Sequence, residues 1–206
     1  MRKGVHSQFD FRKNLKVIPL IIFGLFFLHG YTNTSTGESE IIKIKTFISK
    51  NRIHPGETFK VAFLVKISPN WHIHAHELSD EFLIPTKLIF EEKEKIEVTD
   101  YYYPEPKAEK FEYSESELQI YDEEVILGAL IKASHELQRG HHKLKGKFSY
   151  QPCDDKSCLP PKKIEFEIPF EVVPLSQETE DIHKDIFLKL DFKKDHNRNQ
   201  RVSKNK

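Results

Sequence analysis

From Ile42 to Val173 the apolar residues recur mostly at every second position, and that period decides the fold class. Apolar residues at i, i+2 and i+4 line one face of an extended strand, whereas an amphipathic helix needs i, i+3 and i+4. Ile42, Ile44 and the pair Phe47-Ile48 open the series, and Phe59 to Ile67 (FKVAFLVKI) continues it after the turn signal His54-Pro55-Gly56. Trp71 to His76, Thr86 to Phe90, Ile96 to Tyr103, Leu118 to Tyr121, Val125 to Ala133, His142 to Tyr150 and Ile164 to Val173 follow. Turn residues such as Ser68-Pro69-Asn70 and Gly140 separate several of them. Eight or nine short strands with hardly a helical period between them predict an all-β chain. The sheets should be antiparallel and stacked as a sandwich, because parallel strands would require long crossover helices.

The ends differ from this middle. Arg2, Lys3, Arg12, Lys13 and Lys16 precede an apolar run of 12 residues, Val17 to Leu28. A basic start before an apolar run of roughly 7–15 residues is the pattern of a secretory signal, and a spanning helix needs about 20. Residues 1–34 therefore read as a signal peptide or an uncleaved signal-anchor and the start of a linker, with small residues at Gly30, Thr32 and Thr34. No cysteine follows the run, which argues against a lipid anchor. Export is therefore expected. The sandwich should occupy 35–174. Beyond it, Ile182, Ile186, Phe187 and Leu190 could form one helical stripe, docking on the domain or simply frayed. From Lys193 six basic residues face one acid, a tail expected to be disordered. Membrane contact is expected only through the leader or this tail. Lysine plus arginine equals aspartate plus glutamate at 32 each, which removes any global electrostatic argument for nucleic acid.

Only two cysteines are present, spaced C-x4-C within Tyr150 to Pro161 (YQPCDDKSCLPP). In an exported protein two cysteines this close are expected to meet as a disulfide. One reading is a structural staple, but closing so short a loop stabilises by only roughly 2 kcal/mol in the chain-entropy model. The other reading is thiol–disulfide exchange, which needs an accessible sulfur, a resolving partner and a thiolate fraction set by local charge. The polar loop should be exposed. Lys156 favours a thiolate while Asp154 and Asp155 oppose one, so spacing and composition leave both readings open.

The cysteine segment resembles the active-site segment of the N-terminal periplasmic domain of DsbD, the thiol:disulfide interchange protein. Asn70 to His74 (NWHIH), Ile84 to Leu88 (IPTKL) and the Tyr103 to Phe111 loop are similar in order, so the resemblance covers about residues 40–173. It implies an immunoglobulin-like sandwich whose cysteine pair takes electrons from a membrane reductant and passes them to periplasmic disulfide proteins. On that basis Cys153 and Cys158 match the redox cysteines, and Cys158 is the sulfur presented to partners. Phe111 matches an aromatic cap that shields the pair, with Glu109 in the acidic stretch before it. His72 and His74 fall near positions where other members carry tyrosines. The implied partners are thioredoxin-like or membrane-embedded thiol–disulfide proteins, with no cofactor. Full-length members continue into membrane-spanning and thioredoxin-like domains that these 206 residues do not contain, so an electron donor encoded elsewhere is expected. Glu112-Tyr113 stands where the family carries a glycine after the cap aromatic.

Two alternatives belong to other classes. His72, His74 and His76 alternate, so in a strand their imidazoles share one face and could bind copper or zinc. The blander expectation is that they line a solvated face. The other alternative is a binding module that recruits partners by a sheet edge or its loops, with a structural disulfide. Tyr103 to Tyr113, with two prolines within it and several charges, is expected to be a long loop.

Overall fold

The alternating runs fold as strands in the computed structural model, which describes residues 41–192 apart from Ser79 and Glu81. The signal peptide or signal-anchor expected over residues 1–34 lies outside the described residues, as does the basic tail from Lys193. In chain order the strands are β1 (Ile42–Ile48), β2 (Thr58–Ile67), β3 (His72–His74), β4 (Lys87–Phe90), β5 (Ile96–Tyr102) and β6 (Lys107–Glu109). Then come β7 (Leu118–Asp122), β8 (Glu124–Ala133), β9 (Gly140–Tyr150), β10 (Pro152–Cys153), β11 (Lys162–Val172) and one helix, α1 (Lys184–Phe187). Every ladder between these strands is antiparallel.

Three sheets result, ordered β1-β2-β8-β5, β11-β9-β4 and β10-β3-β7-β6. The first two face each other in an immunoglobulin-like sandwich. Phe59, Val61, Phe63 and Val65 of β2 and Leu127, Ala129 and Ile131 of β8 meet Leu144 and Phe148 of β9 and Phe166, Ile168 and Phe170 of β11 in one core. Phenylalanine carries the contact between the layers. The Phe63 and Phe166 rings lie 4.7 Å apart and the Phe59 and Phe170 rings 5.4 Å, distances at which aromatic pairs add to simple area burial.

The other face of β2 and β8 is built from small residues. Ala62 and Gly128 are register partners, and a Cβ on Gly128 would meet Leu190 Cδ1 at 2.9 Å. Phe187, Leu190 and Phe192 bury themselves over this shallow face with Ala62. Phe187 and Leu190 of the C-terminal stripe thus pack on the domain, although only four residues of the segment are helical. His183 enters α1 in the left-handed conformation with no side-chain cap, and a helix so short takes its order from packing.

Two expectations about elements are corrected. The described residues hold eleven strands rather than eight or nine. β6 also interrupts the segment expected to be a continuous loop: its three exposed residues pair with β7, and Lys107 reaches Asp122 at 2.6 Å. Neither β6 nor the two-residue β10 carries an alternating pattern, so backbone pairing alone makes them strands.

Candidate redox site

β3 is the strand that positions the site. The turn Ser68 to Trp71 feeds it, with the Trp71 amide donating to Ser68 O at 3.1 Å and Asn70 at φ 65°, a conformation asparagine tolerates better than most residues. Successive side chains then point to opposite faces. Ile73 is fully buried in the sandwich core, and His72 and His74 face the other way. On one side β3 pairs with β7, and on the other with β10, where Cys153 is the register partner of His72.

Immediately after β10 the chain reverses. Asp154 Oδ1 accepts the Lys156 and Ser157 amides at 2.9 and 2.8 Å, and the Asp154 amide donates to Ser157 O at 2.9 Å. These bonds hold the Asp154 carboxyl below the usual carboxylate range, with the Lys156 amide the largest cause and the Ser157 amide next. The turn brings Cys158 back opposite Cys153, and the two sulfurs are bonded. Their surroundings differ sharply. Cys153 is wholly buried, Cys158 is half-buried, and Asp155, Lys156 and Ser157 between them are exposed.

Behind the buried sulfur stands His74, itself 1% exposed. Its Nδ1 lies 3.2 Å from Ile84 O, a carbonyl that can only accept, so the ring proton resides on Nδ1. The lone pair on Nε2 therefore faces Cys153 Sγ, 3.8 Å away. Burial pushes the His74 pKa down, which keeps the ring neutral. Thr86 anchors the same residue from the backbone side, its hydroxyl donating to His74 O at 2.6 Å.

Over the sheet lies the segment after β6. Phe111 is buried and stacks on His72 with ring centroids 4.1 Å apart, and Tyr113 Oη lies 2.8 Å from His72 Nε2. Burial, reinforced by neighbouring His74, lowers the His72 pKa to about 4. Burial together with Asp154 and Asp155 raises the Tyr113 hydroxyl to about 12. Both side chains are accordingly neutral at pH 7, and the pair is held by a hydrogen bond between uncharged groups. Glu109 is exposed on β6 and lines a groove with Trp71, His72, Phe111 and Asp155.

The expected solvated histidine face is overturned. His72 lies under Phe111 and His74 against the disulfide, both among the most buried polar residues of the domain. His76 falls beyond the end of β3, stacked on Tyr103 at 3.7 Å with its Nδ1 donating to Thr86 O. Among the described residues, the histidine that groups with other possible metal donors is His74, with Cys153 and Cys158. Sequence reasoning missed Tyr113, Thr86 and the Ile84 carbonyl. A backbone acceptor carries no side-chain signal, and Tyr113 is 41 residues from the histidine it bonds.

The family model for the N-terminal part of the thiol:disulfide interchange protein DsbD matches residues 41–169, well over half of the chain. The chain belongs to this family. Its disulfide and antiparallel sandwich are those of a thiol–disulfide interchange domain of DsbD type. Among solved structures it is similar to the N-terminal periplasmic domain of ScsB from Proteus mirabilis, with 16% identity, 64% of this chain and 47% of that chain covered, and a TM-score of 0.45. The chain thus spans about half the length of that relative. It is also similar to the reduced DsbD N-terminal domain of Neisseria meningitidis, with 13% identity, 66% and 89% covered, and a TM-score of 0.32. No curated protein sequence matches the chain.

Proposed function

We propose that this domain is a periplasmic electron relay in which Cys153 and Cys158 alternate between dithiol and disulfide. The single observation behind the reading is the unequal placement of the two sulfurs, one half-exposed at a polar turn and the other buried behind it. Thiol–disulfide exchange proceeds through attack by a thiolate on one sulfur of a disulfide. In the reduced domain Cys158 meets the partner. Its thiolate bonds to one partner sulfur and expels the other as a thiolate. Cys153 then attacks Cys158 and releases the second partner thiolate. Two electrons have moved to the partner, and a thioredoxin-like or membrane-embedded dithiol returns the pair to its reduced state.

Phe111 limits unwanted reaction. Its ring covers His72, the register partner of Cys153, next to the pair. Among the described residues no helix is long and apolar enough to cross a membrane.

The relay is tested with a reduced thioredoxin-like donor and a disulfide-bonded acceptor. Cys153→Ser and Cys158→Ser should each stop transfer, and Cys153→Ser should accumulate a mixed disulfide through Cys158 that is visible by mass. Transfer that persists in the double Cys→Ser variant would falsify the relay. Phe111→Ala should accelerate reduction of the isolated disulfide by dithiothreitol, and an unchanged rate would remove the cap role.

A further inference from the structure

We infer that the reduced domain holds a three-coordinate site for monovalent copper, made by His74 Nε2 and the sulfurs of Cys153 and Cys158. The inference rests on the relay reading only in needing a reduced state of the pair. The three donor atoms already lie within 4.8 Å of one another. For a thiophilic ion, a metal–sulfur bond of about 2.3 Å and a metal–nitrogen bond of about 2.0 Å at a trigonal angle span roughly 3.7 Å between donors. Cys153 Sγ and His74 Nε2 are 3.8 Å apart, so an ion fits between them with little movement of two buried side chains.

His74 also has the second interaction that a metal-binding imidazole needs. Ligating histidines donate their other ring N–H to a carbonyl or carboxylate, which fixes the tautomer and aims the lone pair. Ile84 O fills that role, and the lone pair points at the sulfurs. Two thiolates and an imidazole are a soft donor set, which favours monovalent copper or zinc over harder ions. A structural zinc takes four donors, whereas this group has three, and the deep placement of Cys153 and His74 suits an ion satisfied by three. Entry is past half-buried Cys158 and the exposed residues before it.

Oxidation state gates the site. While the sulfurs are bonded to each other neither is a thiolate. A dithiol donor delivers two electrons and two protons, giving two thiols. Copper(I) then displaces both thiol protons and forms two Cu–S bonds and one Cu–N bond, with no electron passing to or from the metal. Metal and disulfide exclude each other, so bound copper should also slow reoxidation of the pair.

The purified domain, reduced with a phosphine and kept anaerobic, is titrated with copper(I) against a chromogenic copper(I) chelator. One ion per chain should bind, two protons should be released per ion, and the disulfide form should leave the chelator's copper untouched. His74→Asn retains an amide donor for Ile84 O and removes Nε2, so it should bind at least about tenfold more weakly. His76→Asn, outside the group, should bind like the parent. X-ray absorption should show two sulfurs and one nitrogen. Equal affinity in folded His74→Asn, copper uptake by the disulfide form, or uptake of zinc but not copper(I) would each overturn the assignment. None of these results depends on electron transfer to a partner, so the site and the relay fail separately.

Discussion

His72 shows how one residue type acquires opposite expectations from sequence and from structure. Alternation with His74 placed it on a common strand face, and that much holds. Alternation says nothing about what covers the face, because Phe111 and Tyr113 arrive from a segment about 40 residues away with no period of its own. The cysteines were legible because their spacing and flanks are local. The neutral histidines became visible only with tertiary packing. Their burial has a pH signature in the oxidised protein. His72 ordinarily titrates near 6.5, and in the fold its pKa is about 4, mainly through desolvation. As pH falls below about 6.5 the unfolded chain takes up a proton that the native state refuses until about pH 4. The stabilisation is therefore complete above pH 6.5 and lost on acidification towards pH 4. His74 and His76, also lowered by burial, act in the same direction. Urea midpoints measured across this window should fall with pH, and the fall should be shallower in His72→Phe than in the parent.

At the scale of elements, the long strands follow directly from the alternating pattern, since β2, β8, β9 and β11 each bury one residue in two over most of their length. The short strands do not. β6 and β10 are three and two residues long, and what places them is a hydrogen-bonding neighbour remote in sequence. Inside β9, Gly146 has a packing role that no local pattern reveals. It is the register partner of both Phe90 and Phe166, and a Cβ there would come within 2.3 Å of Ile89 O and 2.5 Å of Phe166 Cζ. The absent side chain leaves room for the Phe166 ring, which packs on Phe63 and Phe90. Overpacking of this kind typically costs 1–3 kcal/mol. Gly146→Ala should lower unfolding stability by about 2 kcal/mol and leave the cysteine pair's reactivity with dithiothreitol unchanged. A neutral effect in chemical denaturation would contradict the close approach of β4 and β11 on this strand.

At the scale of the described domain, the residues after Val173 return to the sandwich instead of leaving it. Phe187, Leu190 and Phe192 cover Ala62 and Gly128, and His183 sits edge-on to Phe47. Lys50 ties the same return to the domain through Glu57 and Asp181, at 3.0 and 3.1 Å. Phe187→Ala should destabilise the domain by about 3 kcal/mol, the low end for a buried phenylalanine at the edge of a core. The neighbouring Leu188, 85% exposed, should tolerate alanine within about 0.5 kcal/mol. Thermal unfolding of the two variants side by side checks the assignment, and equal shifts would show that the segment is not anchored through Phe187. Of the stripe read from Ile182 to Leu190, Phe187 and Leu190 are buried on this face with Ile186 at its edge, while Ile182 lies outside the cluster and Phe192, not in the stripe, joins it.

The pleat of β3 has a consequence for how the gene can change. Ile73 fills the sandwich while His74 faces the Cys153 sulfur and His72 the Phe111 ring on the opposite side, all within three residues. Losing or gaining one codon inside this stretch would turn the isoleucine towards the disulfide and a histidine into the hydrocarbon interior, damaging folding and chemistry together. The same change in the polar turn between the cysteines would disturb the Asp154 bonds and the pairing of the sulfurs but leave Ile73 in the core. Inherited length variation should therefore collect in the exposed turns and stop short of these three codons.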